Sequence, residues 1–211
     1  MRMMASGLLA ALLSCGFANA AEPPGPSPWG PIAMIHAEPF DVDEAHSYLG
    51  FTIGFLGMTK VRGSFKKYDA WVVYDDKDPA RSSATVIIDV DSIDTGLEFR
   101  DKDLKSPNFF DVEKYPTMEF KSTKIVKNGD KLQVTGDLTL HGTTKSVTLD
   151  VDGPTPETKD PWGNTRRGLS GTTTINRQDF GLKWNNRLGT GEAVVGDIVK
   201  IQIDVELVKK K

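Results

Sequence analysis

Cysteine is all but missing. The one cysteine among 211 residues is Cys15, inside an N-terminal apolar run that reads as a removable leader. A mature chain cut after Ala20 keeps no thiol, which excludes disulfide staples, thiol catalysis and thiolate metal sites. Histidine is nearly as scarce. His36, His46 and His141 are too far apart for an H-x-x-x-H or H-E-x-x-H zinc pattern, so neither a metal nor a cofactor is expected. No G-x-S-x-G nucleophile motif occurs either. Lys and Arg are scattered at a net charge of -3. With no basic stripe, nucleic acid is not an expected partner.

The leader itself is well formed. Met1-Arg2 is a short positive start, Met3 to Leu13 is almost unbroken apolar sequence, and Ala18-Asn19-Ala20 is a small-x-small cleavage site. This is a secretory signal over residues 1–20 and implies a periplasmic protein. Leu12-Leu13-Ser14-Cys15 offers a competing lipoprotein-type site, with a bulky Leu13 where a small residue is usual. Residues 21–37 begin with "AEPPGPSPWGP", whose prolines preclude regular structure and make an extended linker. Residues 38–211 read as one domain.

What fills that domain is strand-period alternation. Leu49, Phe51, Ile53 and Phe55 share one face against Tyr48, Gly50, Thr52 and Gly54. Val61 and Phe65, then Tyr68, Ala70, Val72 and Tyr74, change phase around Lys66-Lys67, which suggests a bulge in one long bent strand. Val86 and Ile88, Met118 and Phe120, Leu132 to Leu140, Val147 to Val151, and Val199 to Leu207 alternate likewise. Asn128-Gly129 marks a tight hairpin, and His141-Gly142 a second short turn. About eight strands with one apolar face each indicate antiparallel pairing. A closed barrel and a two-sheet sandwich both fit. Asp94 to Pro116 breaks the pattern. Asp94 or Thr95 is expected to cap a short helix there, with Leu97, Leu104 and Arg100 or Asp101 on one side.

Four segments then carry a resemblance: "AHSYLGFTIGFLGMTKVRGSF", "DSIDTGLEFRDKDLKSPNFFDVEKYPTMEF", "VTGDLTLHGTTKSVTL" and "INRQDFGLKWN". In order and spacing they are similar to the motifs of the YceI-like family. The likeness runs from about Glu38 to the C-terminus. Matching positions are His46, Ser47, Gly63, Arg100, Asp101, Leu104, Phe109, Phe110, Asp111, Tyr115, Pro116, Gly136, His141, Gly142, Arg177 and Gly181. Lys102-Asp103 departs from the small residue and His usual before Leu104. The resemblance implies a mainly β fold, an eight-stranded antiparallel lipocalin-like barrel with a short helical insertion. It also implies an apolar tunnel holding a polyisoprenoid or other long-chain amphiphilic lipid.

On this reading the tunnel residues are Leu49, Phe51, Ile53, Phe55, Phe65, Ile88, Phe109, Phe110, Met118, Phe120, Leu138, Leu140, Ile201 and Ile203, with Arg100 orienting a polar end at the rim. At least one ring of Phe109 and Phe110 is expected to face the barrel. The protein is read as a binding protein without catalytic residues. Two rivals stand beside it: an enzyme working on a hydrophobic, isoprenoid-like substrate in the same cavity, and a barrel filled by its own side chains. A homodimer through a strand edge is a further expectation.

Overall fold

Alternation of apolar and polar residues forces each strand to turn one face from water, and curling the sheet into a ring hides all those faces at once. A computed structural model of the protein describes residues 38–209. The expected leader and linker, with Cys15 and His36, lie outside the described residues. The strands are β1 (Glu38–Val42), β2 (Tyr48–Phe55), β3 (Thr59–Phe65), β4 (Tyr68–Tyr74), β5 (Ser83–Asp89), β6 (Ile93–Asp94), β7 (Thr117–Asn128), β8 (Lys131–Leu140), β9 (Thr143–Asp152), β10 (Thr158–Lys159), β11 (Thr165–Asn176) and β12 (Val195–Lys209). The helix α1 (Glu98–Lys105) lies between β6 and β7.

Three barrel strands are each built from two of these pieces. β1 and β2 both pair with β12, β4 and β3 pair with them in turn, and β5 and β6 pair with β4 and β3. The ring continues through β7, β8, β9 and β11, and closes where β11 meets β12, from Arg166↔Val208 to Asn176↔Ile198. The result is a closed, eight-stranded antiparallel barrel. β10 adds a short pairing at the edge of β11.

The breaks have local causes. The phase change at Lys66-Lys67 is not a bulge but a break between β3 and β4. The backbone N–H groups of Lys66 and Lys67 turn to Ser92 Oγ at 3.1 and 3.0 Å. Ser92 itself closes the 3-10 turn that separates β5 from β6, donating to Asp89 O at 2.6 Å. Two neighbouring strands therefore bend at one level around one hydroxyl. The β1–β2 break is a 3-10 turn at Glu44–His46, N-capped by Asp43. A bulge does occur farther on, in β7 between Ser122 and Lys124.

Two turns refine the sequence reading. Asn128 pairs with Lys131, so the central residues of the β7–β8 turn are Gly129 and Asp130, one step beyond the Asn-Gly pair. In the β8–β9 turn His141 and Gly142 both have positive φ, 50° and 72°, the backbone that suits a two-residue hairpin.

The α1 segment also corrects an expectation. Leu97 occupies the cap position without a side-chain hydrogen bond. Asp94 accepts from Gly96 N instead, and Thr95 N donates to Asp101 Oδ1 at 3.0 Å. Leu97 is half exposed rather than on the inner side. One buried cluster, including Phe65, Val90, Ile93, Met118, Leu140, Phe180 and Leu182, packs beneath α1. A second, Ile125, Leu132, Val134, Leu149 and Val151, fills the other half of the barrel wall.

Candidate functional site

The inward faces do not meet. They enclose a cavity of about 440 Å³, within the usual range for ligand pockets. Its wall is almost wholly carbon. Every residue named from the sequence lies on it: Leu49, Phe51, Ile53, Phe55, Phe65, Ile88, Arg100, Phe109, Phe110, Met118, Phe120, Leu138, Leu140, Ile201 and Ile203. The same period-2 faces add Val72, Val86, Val134, Leu149 and Leu169. Two glycines let rings lie flat on the wall. A Cβ at Gly63 would stand 2.6 Å from the Phe51 ring, and one at Gly136 would stand 2.5 Å from the Phe120 ring.

The α1 end is closed by aromatic contacts. Phe110 meets Phe65 edge-on at 6.1 Å, and Phe65 meets Phe51 at 6.0 Å, so the lid segment joins the barrel wall through a run of rings. Phe109 packs on Trp184 at 4.9 Å. Both rings of the pair thus line the cavity. Trp184, with Leu182, belongs to the β11–β12 connection, and Val195 opens β12 beside them. That stretch has no alternation, so although Leu182 and Trp184 fall within the "INRQDFGLKWN" segment, no periodicity pointed them at the wall.

Three arginines hold this architecture in different ways. Arg100 and Asp101 converge on Thr95. The Thr95 hydroxyl donates to Asp101 Oδ1 and accepts from Arg100 Nε at 2.7 Å, while Arg100 Nη2 donates to Thr95 O at 2.7 Å. Together they pin α1 to the end of β6. Arg100, Asp103 and Leu104 present one side of the helix to the cavity, whose lining holds two cations, Arg100 and Arg177.

Arg177 is almost wholly buried. Its guanidinium donates to the carbonyls of Leu182, Trp184 and Gly196 and to Asp197 Oδ1 at 3.0 Å. Burial pulls its pKa below the ordinary value, against the pull of Asp197. Its work is to fix the 3-10 turn Arg177–Phe180 and the Trp184 stretch against β12.

Arg166 lies outside the tunnel. It donates to Asp43 at 2.6 Å, to Asp160 at 2.6 Å and to Glu206. This hydrogen bond is the main cause that lowers the Asp43 carboxyl to about 2, helped by His46. Burial alone would raise Asp160, but Arg166 and Asn164 override it and hold it well below the carboxylate range. Asp43, His46 and Glu206 stand close enough to suggest a cation site. The guanidinium already supplies the positive charge that those carboxylates need. Ser47 accepts from Glu206 N at 3.0 Å and seats the start of β2.

Comparison with known proteins agrees with this geometry. The YceI-like domain profile matches residues 40–207. A UPF0312 protein of Photorhabdus laumondii is 41% identical over 143 residues, covering 68% of this chain and 74% of the relative. The crystal structure of Burkholderia cenocepacia BcnA superposes with a TM-score of 0.66 at 28% identity, over 79% of this chain and 99% of that one. A polyisoprenoid binding domain from Saccharophagus degradans shares the fold at a TM-score of 0.57 and 14% identity, over 81% of this chain and 98% of that one.

Proposed function

The chain belongs to the YceI-like domain family, and from that premise we propose that its barrel is a non-enzymatic carrier for a polyisoprenoid or similar long-chain amphiphile. The observation that supports this most is the continuous apolar cavity of about 440 Å³ inside a closed barrel. Polyisoprenoid binding is named for the Saccharophagus degradans neighbour; for this chain it is the ligand class that the wall chemistry suits. Burying about ten methylene groups contributes roughly 8 kcal/mol gross, whereas one neutral hydrogen bond nets about 1 kcal/mol. An apolar wall therefore suffices for affinity, and Arg100 orients the polar end. A periplasmic setting, in transport, storage or stress protection, belongs to this proposal and is supported by the secretory signal read in residues 1–20.

A barrel filled by its own side chains does not fit a cavity of this size. The rival enzyme reading would require groups free to act on a substrate. Asp101, its acid/base candidate, has its carboxylate engaged by the Thr95 backbone N–H and hydroxyl. The test is uptake of a long-chain prenol from detergent micelles, followed by recovery of the prenol unchanged. Stoichiometric uptake without conversion supports a carrier. Conversion that stops in Asp101→Asn, with the fold intact, would establish the enzyme.

A further inference from the structure

Six large apolar side chains are exposed among the described residues: Tyr48 and Ile198 on the strands, Trp162 in the β10–β11 connection, and three in or beside α1 and the β2–β3 turn. Met58 is 77% exposed, Leu97 52% and Phe99 81%. All three stand at the α1 end. Met58 is in the turn that joins β2 to β3. The β3–β6 register, Ser64↔Asp94, carries the chain past Gly63 and delivers Leu97 on the side of that turn. Phe99 precedes Arg100, so it lies about a quarter turn around the helix from the cavity-facing stripe Arg100, Asp103 and Leu104. The remaining residues of α1 are charged. Among the described residues nothing covers the Phe99 ring, and its helix gains nothing from it.

We propose that Met58, Leu97 and Phe99 form a membrane-docking rim, through which the barrel takes its ligand from, and returns it to, a lipid bilayer. This rests on the carrier reading above. Three features select a bilayer as the occupant. The rim adjoins the lid of a cavity suited to a long apolar chain, and such a chain has no practical route through bulk water. Three side chains, one of them only half exposed, fall well short of the ~800 Å² per partner that a stable protein interface uses. The flanking charges are mixed, with Lys60, Arg62 and Lys102 against Glu98 and Asp101. The contact is therefore apolar, an insertion at the lipid interface that needs no anionic lipid. It is a surface contact, since no helix of the described residues is long and apolar enough to cross a membrane.

The test compares two routes to the same complex. A fluorescent long-chain prenol is supplied either in phosphatidylcholine vesicles or in detergent micelles, to wild type, to the double variant Leu97→Ser/Phe99→Ser and to Trp162→Ser. Trp162 is equally exposed, at 79%, but lies in the β10–β11 connection at the other end of the barrel. The double variant should load from vesicles about tenfold more slowly, with unchanged equilibrium binding from micelles and no effect of moderate salt. Trp162→Ser should load like wild type from both. A double variant that loads from vesicles at the wild-type rate, while still binding from micelles, overturns the docking rim alone. Failure of every form to bind from micelles overturns the carrier reading and the rim with it.

Discussion

Phe109 and Trp184 pack ring on ring at 4.9 Å, joining the segment after α1 to the β11–β12 connection across the end of the barrel. Two parts of the chain 75 positions apart thus close one lid. Arg177 holds the second part in place by donating to Trp184 O at 2.9 Å.

Trp184→Ala should loosen this closure. An aromatic pair contributes about 0.5–1.5 kcal/mol beyond its buried area. Release of a bound prenol should therefore accelerate roughly 2- to 12-fold, with only a modest drop in the melting temperature. Stopped-flow displacement with excess unlabelled prenol measures it. Release at the wild-type rate would mean that ligand leaves elsewhere.

Arg177→Ala should be among the most destabilising single changes in the barrel. It strands several buried carbonyls at once, and about 3 kcal/mol or more is expected. Arg177→Lys should recover little, because one ammonium cannot reach the fan of acceptors a guanidinium serves. Denaturant midpoints decide this; a near-neutral Arg177→Lys contradicts the role.

Gly171 offers a way to fill the tunnel without breaking it. A Cβ there would meet Val151 Cγ2 at 3.5 Å and Leu149 Cδ2 at 3.8 Å, ordinary contact distances. Gly171→Leu should keep the barrel's stability or raise it by about 0.5–1 kcal/mol, as a strand glycine is removed, while prenol capacity falls. Paired melting and titration curves test it. Full capacity in this variant would place the ligand away from that part of the wall.

Asp43 sets a pH signature. Its folded carboxyl, held at about 2 chiefly by Arg166, lies below its unfolded value near 4. Stability from this contact is complete above about pH 4 and is lost as pH falls toward 2. Asp160, lowered by the same guanidinium, acts with the same sign. Arg166→Met should lower stability at pH 7 and flatten the acid limb between about pH 4 and 2. Melts that keep the wild-type acid slope would contradict the network.

Much of the wall was legible because a period of two is a direct readout of which side chains face inward. Leu49 to Phe55 and Val199 to Leu207 needed no more than alternation. The pairing of broken strands was not legible. Whether Lys66-Lys67 bulges or breaks depends on Ser92, which lies in the 3-10 turn between β5 and β6 and supplies the competing acceptor. The cap of α1 was misassigned for a similar reason, since Asp94 and Thr95 spend their hydrogen bonds on Gly96 and Asp101. Trp184 was missed because it reaches the cavity from an irregular connection whose path is set by Arg177.

The carrier reading is tested most directly by native mass spectrometry of the protein purified from cells without detergent, followed by extraction of whatever the barrel holds. The account predicts one long-chain amphiphile per chain, released on unfolding and displaced in Gly171→Leu. A protein recovered empty, and unable to take up such a molecule when it is offered in micelles, would contradict it.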